Sequence, residues 1–309
     1  MKPWTFIHVA DIQPGSPRSY RYDPSLMENW KQARKQILEL NPELLLVGGD
    51  ITRDGSIHKW ELEDMKADFD SMGIPYHVIA GNMDTGNKHT NKQGPDSARD
   101  DIALNITSEQ IQQFESVFGP SKWSFLHKNV RISGFCDMLI GSGLPEEKEL
   151  WKWLDEQKHL PTAAHHLWLM HYAMFIDTLD EPFFDIENPD QYMDWYFSVD
   201  QKNRDRLMDI FKATGATRCI TGHIHCRKDH FADGIHFDLA PATCGNQWTD
   251  RWPDCDGSEG FFRYDVDNDK MTKTFVPLDK VSKRTDGYGP GGHPKPEARD
   301  YSLAWEKNV

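Results

Sequence analysis

The sequence is poor in cysteine, in basic charge and in uninterrupted apolar stretches, and each shortage excludes something. Its five cysteines (Cys136, Cys219, Cys226, Cys244 and Cys255) are odd in number, scattered through 309 residues and never spaced CxxC. That argues against a disulfide framework and against a thiolate zinc site. Lys and Arg total 35 against 49 Asp and Glu, a formal net charge of −14. A surface of that sign repels phosphate backbones, so nucleic acids and anionic membrane surfaces are poor partners. No stretch approaches the roughly 18 apolar residues that a membrane-spanning helix needs. The start, Met1-Lys2-Pro3-Trp4, runs into a strand pattern with no basic segment, long apolar run or small-residue cleavage site. The expectation is a cytoplasmic protein.

What is present is core material and alternation. Hydrophobic residues make up only 38% of the chain, but 11 Trp, 16 Phe and 9 Tyr are among them. Disordered chains have few aromatics and weak periodicity. Trp4 to Ala10 reads as a strand that halts at Asp11. Asp23-Pro24 then supplies an N-cap and a first-turn proline. Leu26, Trp30, Ala33, Ile37 and Leu40 follow on one helical stripe, stopped by Asn41-Pro42. Leu44 to Val47 is an unbroken apolar run, as expected of a strand covered on both faces, and it ends at Gly48-Gly49-Asp50. A charged helix, about Ser56 to Ser71, leads to a third strand, Ile74 to Ala80, that ends at Gly81-Asn82-Met83-Asp84. This βαβαβ order predicts a parallel sheet with right-handed crossovers.

Farther on the signals are shorter. Residues 85–108 read as a long polar loop, and Glu109 to Phe118 and Lys148 to Gln157 as helices. Trp123 to Cys136 has strand pattern, and Leu167 to Met170 is a strand that delivers His171. Residues 176–198 form an aromatic and acidic insertion, and Asp200 caps a helix that runs to Ala213. Arg218 to Thr221 is a strand that delivers Gly222-His223-Ile224-His225. Asp233-Gly234 marks a hairpin, and Gly260 to Val266 with Met271 to Val276 reads as an antiparallel pair. The division is one domain over residues 1–280 and an irregular Gly/Pro-rich tail over residues 281–309.

Polar groups collect at the strand ends: Asp11 with Gln13, Asp50, Asn82 with Asp84, His171, and the pair His223 and His225. Each alone is ordinary turn, cap or core chemistry. Their recurrence at five strand ends is not, because ligands of open α/β sheets bind outside the carboxyl ends of the strands. His223 and His225, as alternate residues of an extended chain, project from the same side.

On these motifs, from about Phe6 to Val276, the sequence resembles the calcineurin-like metallophosphoesterase superfamily. It is most similar to the cytosolic calcineurin-like phosphoesterase-domain proteins, which share the Gln of Asp11-Ile12-Gln13 and stretches like Pro189-Asp190-Gln191-Tyr192 and Trp195-Tyr196-Phe197. The resemblance implies an α/β fold of two β-sheets packed as a sandwich and flanked by helices. It implies two divalent or trivalent metal ions (Mn, Fe, Mg or Zn). Asp11, Gln13, Asp50 and His225 would hold the first, and Asp50, Asn82, His171 and His223 the second, with Asp50 bridging. It also implies a phosphoester hydrolase, most simply a phosphomonoesterase, that uses a metal-bridging hydroxide as nucleophile. A small phosphorylated molecule or a phosphoprotein would be the substrate. Asn82 would bind it and, with Asp84, serve catalysis. Phosphodiesterase action on nucleotides or small diesters is the alternative. Two carboxylates against two divalent ions leave such a site about +2, enough to attract phosphate to an acidic protein.

Two departures from the family pattern matter. Gln13 stands where the family has histidine, and an amide oxygen shifts preference from Zn toward Mn, Mg or Fe. Alternatively, Gln13 lies outside the coordination sphere. Met83 stands where the family has a histidine that protonates or stabilises the leaving group, and a thioether has no proton to give. The consequence is slow turnover of poorly activated esters, a replacement acid such as His89, or a protein that binds phosphorylated ligands without efficient turnover. Arg53 occupies the tyrosine position of purple acid phosphatases, which excludes tyrosinate ligation. Phe183, Phe184, Trp195, Tyr196 and Phe197 either pack on the sheet edge or wall an apolar leaving group. Arg18 is a solvated loop arginine or a phosphate partner.

Overall fold

The computed structural model describes residues 2–88, 105–184, 188–246, 248, 251–252 and 255–289. Strands β1 (Trp4–Val9), β2 (Leu44–Gly48) and β3 (Tyr76–Ile79) lie parallel, joined by α1 (Pro24–Leu40) and α2 (Lys59–Met72). Asp23 caps α1, its side chain accepting the Ser25 amide, and Pro24 opens the helix. Strands β10 (Gly260–Asp267) and β11 (Lys270–Pro277) complete this sheet in the order β11-β10-β1-β2-β3.

The second sheet is built from β4 (Lys122–His127), β5 (Val130–Phe135), β6 (His165–Leu169), β7 (Arg218–Thr221), β8 (Lys228–Ala232) and β9 (Ile235–Leu239), in the order β4-β5-β6-β7-β9-β8. Four of these, β5, β6, β7 and β9, run parallel. The helices are α3 (Asn82–Thr85), α4 (Ser108–Phe118), α5 (Pro145–Gln157), α6 (Pro189–Phe197) and α7 (Gln201–Ala213).

The apolar run of β2 shows why this is a sandwich. Leu44 and Leu46 point with Phe6 and Ile79 into a core shared with Ile132, Leu167, Leu169 and Ile220 of the other sheet. Leu45 and Val47 point the opposite way, with Ile7 and Val9, onto Trp30, Ile37 and Phe69 of α1 and α2. Each fully buried side chain of this kind contributes roughly 1.5–3 kcal/mol. On the far side, Trp168 stacks on Phe211 of α7 with ring centroids 4.8 Å apart. The expected α/β sandwich flanked by helices is what the structure has.

Some expectations gain detail and others need correction. Trp123 to Cys136 is two strands, a β4–β5 hairpin turning at Lys128-Asn129, with Lys128 at φ 54°. The insertion of residues 176–198 contains α6. Asp200 precedes α7 but makes no side-chain capping bond. Cys226 and Cys255 form a disulfide, their Cα atoms 5.7 Å apart. Cysteine count and spacing could not reveal it, because pairing of Arg227 with Asp256 brings the two segments together. Residues 281–289 lie along α1, where the Ser282 amide donates to Asn29 and Gly289 to the Tyr22 carbonyl. Residues 290–309 of the expected tail fall outside the described residues. Among the described residues no helix is long and apolar enough to cross a membrane.

Candidate metal centre

The carboxyl ends of both sheets meet in one place. Asp11, Asp50 and Asn82 follow β1, β2 and β3, and His171, His223 and His225 follow β6 and β7. Nine non-glycine residues among those described have positive φ, and five of them are Asp11 (52°), Gln13 (35°), Asp50 (50°), His223 (67°) and His225 (54°). Left-handed backbone is costly for side-chain-bearing residues and collects at functional sites. Each strand turns abruptly here to aim one polar group inward. Close backbone approach sets the glycines: a Cβ on Gly81 would overlap the Asp50 amide and carboxylate, and one on Gly49 would lie 2.6 Å from His171 Nδ1.

His171 shows what the cleft is built to hold. Its Nδ1 lies 2.9 Å from the Gly48 carbonyl, which only accepts, so Nδ1 carries the proton and Nε2 faces inward. There Nε2 meets Asn82 Oδ1 at 3.1 Å and Asp50 Oδ1 at 3.3 Å. Three acceptors around one point need a cation. Without a metal that cation is a proton: burial alone would depress the His171 pKa, but Asp50 outweighs it and raises it to about 10. Burial disfavours the Asp50 carboxylate, yet His171 and the Met83 amide, which donates to it at 2.9 Å, hold its pKa below the usual range.

The same chemistry recurs beside it. Asp11 Oδ1 is buried without a hydrogen-bond donor and stands 3.2 Å from His225 Nε2. Its other oxygen accepts the His223 amide at 3.0 Å. His223 Nε2 faces the Tyr196 carbonyl at 3.3 Å, which leaves Nδ1 as its free lone pair. Burial, and then the nearby His171 and His225, keep His223 neutral, with its pKa well below the ordinary value. Asp50, His171 and His223 can each offer one ligand atom within 4.8 Å of the others. The donor set therefore fits a metal centre.

Other expected residues take more specific places. Asp84, wholly buried, accepts the amides of Gly81, Ile51 and Thr52 and the Thr52 hydroxyl. It ties the turn after β2 to the turn after β3. Burial, and then Asp50, raise its pKa to about 7. Gln13 donates from Nε2 to Asp50 Oδ2 at 2.8 Å, and its Oε1 accepts Arg53 Nη1 at 2.7 Å. Met83 is 5% exposed, its sulfur 4.0 Å from Arg21 Nη2. Arg18 makes its contacts elsewhere, 4.0 Å over the Trp60 ring and paired with Asp64 at 3.3 Å. His89 falls outside the described residues.

The aromatic insertion divides. Phe183 is exposed and Phe184 packs on Trp195. Tyr196 and Phe197 stand against the site, their ring centroids 5.0 and 5.2 Å from that of His223.

Sequence reasoning missed four supporting residues. Asp137, beyond β5, accepts the amides of His171 and Tyr172, each at 2.7 Å. It is a sixth polar strand end, which the strand pattern of residues 123–136 did not single out. Lys88, 5% exposed, donates to the carbonyls of Trp195 and Ser198 and ties the insertion to the site. Arg21 and Arg53 are buried behind Gln13 and Met83, where loop arginines would ordinarily be solvated.

The sequence profile of the calcineurin-like phosphoesterases matches residues 5–227, most of the chain. The protein belongs to that family. It is a phosphoric ester hydrolase by that membership, and the family relation implies divalent metal ions. A serine/threonine-protein phosphatase CPPED1 from Danio rerio is 25% identical over 267 residues, covering 78% of this chain and 76% of the relative. Among solved structures, the purple acid phosphatase PPD1 of yellow lupin (Lupinus luteus) superposes with a TM-score of 0.59 at 11% identity. That match covers 91% of this chain, which spans about half (52%) of the lupin protein. A dimetal phosphatase from Danio rerio superposes with a TM-score of 0.52 at 14% identity, covering 90% of this chain and 97% of that one. At these identities the superpositions establish the fold.

Proposed function

We propose that this phosphoesterase is a two-metal phosphomonoesterase whose ions lie between Asp11, Asp50, Asn82, His171, His223 and His225. The observation that carries the reading is the pair of inward-facing donor groups on either side of Asp50. One is His171 Nε2 with the Asn82 and Asp50 oxygens, and the other is the donorless Asp11 oxygen opposite His225. When bound, the ions would supply Lewis-acid charge at the phosphoryl oxygens and acidify an attacking water.

The chain's own residues prepare the place. Asp137 and Gly48 fix the backbone and tautomer of His171. Asp84 locks two ligand-bearing turns together, and the Met83 and His223 amides orient the Asp50 and Asp11 carboxylates. Asn82 Nδ2, 3.4 Å from the Tyr196 hydroxyl, is a donor available to a phosphoryl oxygen. Tyr196 and Phe197 wall the site beside His223. Support for monoesters comes from the Danio rerio relative's name, since phosphoserine and phosphothreonine are monoesters.

The test is turnover of an aryl phosphomonoester and the matching bis-aryl diester by chelator-stripped protein resupplied with Mn²⁺. Faster monoester hydrolysis that depends on the metal supports the reading, and faster diester hydrolysis contradicts it. Burial of Met83 against Arg21 favours a second reading, a phosphate-binding protein with weakened turnover. Two bound ions with no turnover of either ester would select it.

A further inference from the structure

The Gln13 side chain is clamped from both sides. Arg53 Nη1 donates to its Oε1 at 2.7 Å, and its Nε2 donates to Asp50 Oδ2 at 2.8 Å. Both residues are buried, Gln13 at 3% exposure and Arg53 at 1%. A guanidinium carries only donors, so the amide atom facing it has to be the oxygen. The atom facing the metal cleft is then the NH₂ group, which has no lone pair for a cation. Turning the amide over would set NH₂ against guanidinium and oxygen against carboxylate.

Arg53 is itself held. Its Nε donates to the Arg21 carbonyl at 2.9 Å, and its amide and that of Asp54 donate to Glu61 Oε2, each at 2.8 Å. Arg21 returns from the other side to the Asp54 carboxylate and the Arg53 carbonyl.

We infer that Arg53 acts as a positioning residue that turns the Gln13 oxygen away from the cleft, leaving the two metal subsites unequal. The inference rests on the two-metal reading above. The subsite of Asp50, Asn82, His171 and His223 keeps four protein donors. The subsite of Asp11, Asp50 and His225 keeps three, and the Gln13 N–H bond to Asp50 Oδ2 draws electron density from the carboxylate they share. The first of these holds its ion tightly. The second exchanges its ion and fills only when the divalent metal is abundant, so metal supply sets the fraction of fully loaded protein.

Calorimetric titration of chelator-stripped protein with Mn²⁺, checked by competition with a chromophoric chelator, tests this without any turnover assay. Wild type should bind two ions with affinities at least about 100-fold apart, and Gln13→Ala should leave the weaker one within about threefold. Arg53→Met frees the amide to turn its oxygen inward and should tighten the weaker ion by about tenfold or more, the size of effect expected of groups that orient ligands. Gln13→Ala combined with Arg53→Met should return it to the wild-type value. The sign is diagnostic, since loss of a merely structural arginine would weaken binding.

Loss of tenfold or more in Gln13→Ala would make Gln13 a ligand and overturn the inference, leaving the two-metal reading intact. An unchanged weaker affinity in well-folded Arg53→Met would overturn the role of Arg53. If Arg53→Met does not fold, Gln13→Ala decides alone. Wild type that binds fewer than two ions would instead overturn the two-metal reading beneath it.

Discussion

The Met83 sulfur lies 4.0 Å from a guanidinium nitrogen of Arg21, a buried arginine already bonded to the Asp54 carboxylate. The family's leaving-group histidine would occupy the Met83 position. Here it would meet a fixed positive charge in a desolvated place, and both effects favour neutral imidazole.

That setting decides what Met83→His should do. Volume alone lets the substitution fit. With only metal-driven attack, wild-type rates should depend steeply on leaving-group pKa, aryl phosphates reacting far faster than alkyl phosphates. Beside Arg21 the new imidazole should lose its proton below the usual histidine range of about 6.5. At pH 8 the variant should keep the steep dependence. Near pH 5.5 it should hydrolyse alkyl phosphates at least about tenfold faster than wild type, the low end of general acid catalysis. Equal acceleration of aryl and alkyl substrates at both pH values would contradict the leaving-group argument.

His223→Ala removes one member of the Asp50–His171–His223 group. Elemental analysis of the metal-loaded variant should find fewer ions per chain than wild type. Undiminished metal content would remove His223 from the ligand set.

Asp137 holds two consecutive buried amides, those of His171 and Tyr172. Asp137→Ala leaves both without an acceptor, a loss of about 2–4 kcal/mol in urea unfolding. It should also weaken Mn²⁺ binding by about 10- to 100-fold, because His171 loses the anchor that orients it. Wild-type stability together with wild-type metal affinity would show that Asp137 supports neither.

Much of this was legible in the sequence because the signals were local. Leu44 to Val47 read as a doubly covered strand, and its side chains do alternate between the two layers of the core. The ends of β1, β2, β3, β6 and β7 announced themselves as polar residues, beside glycine at β2, β3 and β7. What escaped was set by tertiary pairing. Asp137 acts only because β5 lies beside β6 and brings it to the His171 amide, and the Cys226–Cys255 disulfide was hidden by a contact between distant loops. Arg53 was visible as a non-ligating residue. Its grip on Gln13 was not, because it depends on two loops 40 positions apart folding onto each other.

Two buried histidines predict an acid-sensitive fold. His8 lies between the sheets with neither ring nitrogen hydrogen-bonded, and burial lowers its pKa to about 3. His166, stacked on Trp168, is lowered to about 4, chiefly by burial. A histidine whose folded pKa is depressed contributes its full stability above the unfolded value near 6.5. That contribution is lost as pH falls from 6.5 toward 3–4, because only the unfolded chain takes up the proton. Urea unfolding of the metal-free protein should therefore lose up to about 1.4 kcal/mol per pH unit for each histidine between pH 6.5 and 4. His8→Leu should make that slope shallower. A slope unchanged by the substitution would mean that His8 is protonated in the fold.

The central claim is that metal held around Asp50 performs phosphomonoester hydrolysis, and Asp50→Ala tests it most directly. Wild-type protein stripped of metal should be inactive on an aryl phosphomonoester and regain turnover as Mn²⁺ is restored. Asp50→Ala, folded by circular dichroism, should bind less metal and lose at least about 10³-fold in kcat/KM, roughly 4 kcal/mol of transition-state stabilisation. Metal-independent turnover in wild type, or near-normal turnover in Asp50→Ala, would contradict the account.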